Sequence, residues 1–493
     1  MTHAGILIAV IGYLFVLIGG VGGYLSYKAR KAETTGHGAF LLSNRDMNVA
    51  VLGTTLAFSV LGAAHVLGGF EMTWYQGAIT VWFSLAHVVV LTVACLATGR
   101  WVRRLGVTTI PELLGMMHGK TLRVVVSCVM AGVLFGFLTL ECQGIGILFA
   151  TMTGWTIQKG AVVGGCFGIL YVILAGMKEI GWVNLINAFV KYIGLIAATI
   201  YIGLHLPSGG WGKVADFYVT QDQGWMLSIF GTSNLFIAFA LSNVIAVTFC
   251  QGINQMLMQP CMAAKSEDTV RKAIWIAAPV NGLFGVFIVV LGLAAKTMPD
   301  IAAVGPKLYG PYLLVQMLPT WLVALVLASF VGAVLSTFAM AAMTAASIFS
   351  ADIYRMHYNP NASGKQVANV TKAVIVVLAI IAMAVAASLP PIIAAVNWLF
   401  SFIIPVFWLV IFGLFWKRSE KAALTTCFSS WIVNLLWSFT SLPELLNIPN
   451  ITNVYVVLVV TIIVGVVSLA IMDGKPGYFK STEYLQKKNE LAV

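Results

Sequence analysis

The chain has 493 residues, 60% of them hydrophobic and 9% charged. Soluble domains carry about a quarter charged residues, so the roughly three soluble domains of about 150 residues that length alone suggests give way to one membrane-embedded unit. A formal charge of +11 would suit a nucleic-acid binder, but the placement of the basic residues assigns it to orientation in a bilayer.

Thirteen hydrophobic segments, numbered 0 to 12, run near 5–26, 48–69, 76–99, 122–152, 158–176, 182–205, 228–256, 273–296, 320–350, 368–388, 392–416, 422–440 and 452–472. Each approaches the length needed to cross a hydrocarbon core of about 30 Å. The first has no basic residue ahead of its apolar run and is long enough to span, so it reads as a retained helix and not a cleaved leader. One alternate set of loops, at 28–45, 100–123, 178, 265–272, 355–372, 417–421 and 475–488, holds 23 Lys and Arg. The opposite set holds Lys159, Lys213, Lys296 and Lys307, and Lys191 alone stands inside a segment. Basic loops stay cytoplasmic, which puts the N-terminus outside and the C-terminus inside a plasma or inner membrane.

No linker or low-complexity tract divides the chain. The outer stretches 206–226 and 297–319 are expected to fold against the membrane face, and the tail 473–493 is too short for a signalling domain. Cys95, Cys128, Cys142, Cys166, Cys250, Cys261 and Cys427 form no CxxC pair and lie in or beside apolar segments. They read as small core residues, with neither disulfide nor metal site. The loops carry no clustered His, Asp and Glu ligands and no nucleophile triad, so an enzyme is not expected.

Two segments are weak in mid-membrane. In segment 1, Gly62 and the pair Gly68 and Gly69 flank His65; segment 6 has Ser242 and Asn243, then Cys250, Gln251 and Gly252. Unwound backbone in a bilayer survives only where protein or a water-filled cavity satisfies it. Segments 1 and 6 lie five apart and enter from opposite sides. The expected fold is therefore all-α and polytopic: two inverted five-helix repeats, 48–205 and 228–416, with broken helices 1 and 6 and the site at the midplane. Segment 0, two C-terminal helices over 422–472 and the tail complete one domain. The competing reading takes these glycines as packing residues.

Polar residues inside the segments mark a pathway: His65, Ser84, His87, Glu141, Gln143, Asn243, Asn281 and Asn397. Two imidazoles suit an anionic or zwitterionic head, and free N–H groups at a helix break also favour carboxylates. Each histidine has an alternative as a packing partner, and Glu141 has no obvious basic partner. Lys191 lies two turns beyond Asn184, about 10 Å along a helix. Such a lysine occupies or neighbours a cation site, pairs with a carboxylate, or extends towards the outer interface. Trp74, Tyr75 and Trp82 form either an aromatic lid or an interfacial belt.

Several stretches resemble the sodium:solute symporter family. Phe40 to Asp46 is similar to its approach to helix 1. Gly168 to Trp182 joins segments 4 and 5. Gly252-Ile-Asn-Gln255 followed by Gln259 and Ala263-Ala-Lys-Ser266 resembles GxNQ…QRxxAAKS. Ala333-Val-Leu-Ser-Thr337 runs on to Asp352-Ile-Tyr354, and Gly413-Leu-Phe-Trp-Lys-Arg418 is close to GLFWKR. The resemblance covers about 40 to 420. It implies the leucine-transporter-type fold and an alternating-access symporter of sodium and a small organic solute, with no obligate protein partner.

The resemblance further implies a sodium site made by the carbonyls of Phe58, Leu61 and Ala333 with the hydroxyls of Ser336 and Thr337; oxygen ligands of this kind suit a hard cation. A second sodium is not expected: the further hydroxyl positions are Ala339 and Met340, and Asn184 stands where two-sodium members carry aspartate. The solute positions correspond to His65, Ser84, His87, Val247, Asn281 and Asn397, with Cys250 at the inner gate. This set disfavours sugars and favours a carboxylate or amino acid. Asn184, Lys191, Glu141 and Gln143 are coupling or pathway candidates. The alternatives are a proton-coupled or uncoupled transporter or channel using Lys191, and a non-transporting sensor on the same fold.

Overall fold

A computed structural model describes residues 3–24, 27, 37–174, 176–207, 209–388, 392–448, 450–482, 484 and 485. Lys28, Arg30, Lys31, Lys487 and Lys488 of the basic set lie outside the described residues. Eleven helices are long and apolar enough to cross a membrane, and Gly5–Val21 and Val49–Val60 are shorter apolar helices beside them. Segment 1 is made of two parts, Val49–Val60 and a second that starts at Ala64 and ends at Gln76, where Gly77 takes φ 70° ahead of helix 2 (Val81–Val93).

Helix 8, Thr320–Ile348, is the axis of the bundle: every residue from Val326 to Ile348 is buried. A helix apolar on all sides belongs in the interior. Its neighbours are helix 3 (Lys120–Thr153), helix 5 (Met177–His205) and helix 0 (His3–Leu14). Small residues allow the close approach. Gly332 faces Asn187 of helix 5, and Gly168 of helix 4 (Ile157–Leu174) lies under Phe338. Helix 9 (Gly364–Val385) and helix 12 (Asn453–Ile471) turn Val377, Ile380, Ile381, Val459 and Ile463 outwards, the lipid-facing side of such a bundle.

Among the described residues, three helices are interrupted. Helix 1 stops after Val60, where Leu61 takes φ −99° and ψ 67°, and restarts at Ala64. Helix 6 stays helical through Ser242 and Asn243, one of the two expected weak points, because Asn243 Nδ2 donates to the Phe239 carbonyl (2.8 Å) inside the helix. Its break falls after Gln251. There Asn254 turns extended and accepts from the Met256 amide (3.0 Å), which starts Gln255–Met262. Helix 10 breaks between Ile392–Ser401 and Ile404–Phe415. Pro405 has no N–H to continue the ladder, and the Trp431 indole donates to the Phe402 carbonyl (2.8 Å) at the gap.

Five of the seven cysteines are buried and all seven are free thiols. Cys128 and Cys166 depart from the expected core placement: they lie on the outward faces of helices 3 and 4, where an apolar residue meets lipid and need not meet protein.

Candidate functional site

The interruption of helix 1 leaves carbonyls at the end of one half and amides at the start of the other without helical partners. Side chains from three helices answer them. Asn281, on helix 7 (Ile274–Lys296), donates through Nδ2 to the Ala57 carbonyl at 3.2 Å. Thr337, on helix 8, donates through Oγ1 to the Phe58 carbonyl at 2.9 Å. Glu141, on helix 3, accepts from the Ala63 amide at 2.9 Å. The last contact depends on Gly62, because a Cβ there would collide with the Glu141 carboxylate. The amides of His65 and Val66 are already taken by the Gly62 carbonyl, both at 3.1 Å. The break is thus a joint held by helices 3, 7 and 8, with the Ala63 amide held by Glu141.

The expected cation residues converge on the same joint. Thr337 Oγ1 lies 2.9 Å from the Phe58 carbonyl and 3.3 Å from that of Ala333. Ser336 Oγ beside it is fully buried and meets no hydrogen-bond partner. Leu61, buried, sits at the turn of the chain three residues on. Two hydroxyls and neighbouring carbonyls from helices 1 and 8 form a donor set of the chemistry a hard monovalent cation takes.

The polar residues on helices 1, 2 and 7 form a second group. The His65 and His87 rings meet edge to face with centroids 4.4 Å apart, and His65 also packs on Phe83 at 4.8 Å. His87 Nδ1 engages the Phe83 carbonyl at 2.7 Å, one turn back on helix 2 (Val81–Val93). Asn281 belongs to the same joint through its bond to the Ala57 carbonyl. Lys191 is completely buried on helix 5, with Nζ 3.9 Å from the centre of the Phe58 ring and 4.6 Å from that of Phe284. It does not extend to the outer interface.

The other expected residues make contacts of their own. Ser84 packs against Gly285 on the contact of helices 2 and 7. Val247 and Cys250 are buried in helix 6, and Cys250 Sγ accepts from Asn254 at 3.7 Å, next to the helix 6 break. Asn397 lies on helix 10, one turn beyond Ile393, which packs on Gly68. Gln143 is buried two residues past Glu141. Asn184 is buried on helix 5, while Asn187 one turn on donates to the Ser329 carbonyl (3.1 Å) and accepts from Tyr13 (2.8 Å) of helix 0. Of the outer aromatics, Trp74 packs on Tyr309 at 5.0 Å and the Trp82 indole donates to the Ile229 carbonyl at 2.9 Å, whereas Tyr75 is exposed.

Sequence reasoning missed the aromatic pair around Lys191, since nothing in the spacing of Phe58 and Phe284 brings them together. It also missed the inner-end network. Gln255 accepts from the Ile110 amide (2.8 Å) and donates to Gln259 Oε1 (3.1 Å), which also accepts from Ser347 Oγ (3.1 Å) of helix 8. Both glutamines belong to a motif visible in the sequence, but a motif does not name its partners.

Interrupted helices around a central helix, with polar groups gathered at the interruption, fit the leucine-transporter-type fold that the sequence leads us to expect. The model of the sodium:solute symporter family matches residues 40–428. The chain belongs to that family. It is 26% identical over 432 residues to the uncharacterized symporter YidK of Escherichia coli (strain K12), covering 83% of this chain and 75% of that one. It is 24% identical over 445 residues to the sodium/glucose cotransporter of Vibrio parahaemolyticus, covering 83% and 80%. Among solved structures, a Na+-coupled sialic acid symporter in a substrate-bound outward-open state superposes with a TM-score of 0.80 at 16% identity, covering 96% of this chain and 99% of that one. MhsT in complex with L-phenylalanine superposes with a TM-score of 0.54 at 14% identity, covering 86% and 98%.

Proposed function

We propose that the chain carries out sodium-coupled symport of a small organic acid or amino acid by alternating access, with one sodium per cycle. The observation that carries this is the meeting of helices 1 and 8: Thr337 Oγ1 lies within hydrogen-bond distance of the Phe58 and Ala333 carbonyls, beside the buried Ser336 hydroxyl. A cation held by Phe58, Leu61, Ala333, Ser336 and Thr337 would neutralise carbonyls of the first half-helix and fix the joint. The fixed joint presents His65, and with it His87 and Asn281, to the solute, so that each ligand raises the affinity of the other. Rocking of one five-helix repeat, 48–205, against the other, 228–416, would then open the shared site to the cytoplasm. In this scheme the N-terminus is outside and the C-terminus inside.

Proteoliposomes test it. With an inward sodium gradient, labelled lactate or alanine should accumulate above its equilibrium level, and an equal potassium gradient should give none. Equal accumulation with either cation overturns sodium coupling. A second reading draws on Lys191, whose ammonium stands 3.9 Å from the ring of the residue that offers the Phe58 carbonyl. In it a proton on Lys191 replaces sodium, and accumulation follows a proton gradient.

A further inference from the structure

The buried acids of the bundle are all engaged. Among the described residues these are Glu71, Glu141, Glu179 and Asp352. Glu71 accepts from the Ile392 amide at 3.4 Å, and Glu141 accepts from Ala63 at 2.9 Å. Glu179 accepts from the Gly176 amide at 3.0 Å, and Asp352 pairs with Arg123 at 2.5 Å. None of them reaches Lys191. Its Nζ is fully buried and has no hydrogen-bond partner among the described residues. The faces of Phe58 and Phe284 attract the cation, but rings give an ammonium's three N–H donors no directed acceptor. The bundle therefore has a buried amine with no acid counterpart among the described residues.

The surroundings say what would complete it. The same joint carries Asn281, one turn before Phe284 and donating to the Ala57 carbonyl, and His65, seven residues past Phe58 and packed on His87, whose rings can donate. Phe58, Phe83 and Phe284 wall the group with apolar surface. We infer that Lys191 is the counter-charge of the transported solute, and that the solute is a small monocarboxylate with an uncharged, short apolar body. This rests on the symport reading and narrows it. An amino acid would bring a second charge, an ammonium, into a group that already holds Lys191 and two imidazoles and in which no acid is free to pair with it. At the helix 1 break the Ala63 amide is already held by Glu141.

The test compares three near-isosteres, lactate, alanine and lactamide, on the purified full-length protein in sodium methanesulfonate, with thermal stabilisation as the readout. Lactate should stabilise saturably and the other two should not. Lys191→Met should weaken lactate at least 100-fold. Equal stabilisation by alanine or lactamide overturns the inference, as does a Lys191→Met variant with normal lactate affinity. So does a series in which none of the three acts on wild type. A chloride titration separates the other source of a monovalent anion: saturable stabilisation by chloride, lost in Lys191→Met and unaffected by lactate, also overturns it. The wild-type series decides even if Lys191→Met fails to fold. Loss of the sodium response in wild type, with the lactate response retained in potassium, refutes the symport reading and leaves the carboxylate assignment standing.

Discussion

Replacing Glu141 by Leu should loosen the helix 1 joint without touching either ligand group. The Glu141 carboxylate accepts from the Ala63 amide at 2.9 Å, in a place where water has little access. A hydrogen bond of this kind contributes about 0.5–1.5 kcal/mol, and a buried donor left unmet costs about 1–3 kcal/mol. If the first half-helix must be fixed for Phe58 and Leu61 to face Ser336 and Thr337, that energy is withdrawn from cation binding. A coupling of about 1–3 kcal/mol corresponds to roughly a 5- to 150-fold weaker apparent sodium affinity. Glu141→Gln keeps an acceptor oxygen in the same place and should lose about tenfold or less. Sodium titration followed by thermal shift or calorimetry on both variants gives the comparison. A Glu141→Leu protein that is folded and binds sodium within twofold of wild type would refute the idea that this contact sets the joint.

Two further outcomes follow from the inner face of the bundle. Asp352 is fully buried and Arg123 holds it at 2.5 Å; Arg123→Met strands that carboxylate and should cost about 3–5 kcal/mol, whereas Arg123→Met with Asp352→Asn should recover most of the loss. A double-mutant cycle in denaturant checks this, and simple additivity would contradict it. His118 lies between helices 2 and 3, outside the spans, and engages the Leu409 carbonyl at 3.1 Å. Burial holds its imidazole below the ordinary value of 6.5. The unfolded chain therefore takes up this proton first as pH falls, so the His118 contribution is complete above about pH 6.5 and declines below it. Melting curves from pH 8 to 5 should be flatter for His118→Gln than for wild type; parallel curves would contradict the assignment.

The membrane class and the leucine-transporter-type fold were legible because the bilayer forces long apolar runs, and the motifs from Phe40 to Arg418 stand in the family's order. The break in helix 1 had its sequence signal in the glycines around His65, of which Gly62 sits at the interruption. The break in helix 6 was only half legible. Asn243 looks like a disruptive amide but bonds back into its own helix, while Asn254, which caps the second half, gave no stronger signal. The interruption of helix 10 was missed because Pro405 near a helix start and a proline within a membrane helix look alike in sequence. Among site residues, pairings across helices were the least legible. Glu141 has no basic partner within its own helix because its partner is a backbone amide on helix 1, and the aromatic faces around Lys191 come from helices 1 and 7.

The central claim is that sodium is bound where helix 8 meets the end of the first half of helix 1. Thermal stability of the purified protein in increasing sodium, against potassium at equal ionic strength, tests it directly when repeated on Ser336→Ala and Thr337→Ala. A saturable stabilisation specific to sodium, growing with concentration as linkage requires and lost in both variants, is the predicted result. Equal curves in sodium and potassium, or a sodium response that survives both substitutions, would contradict it.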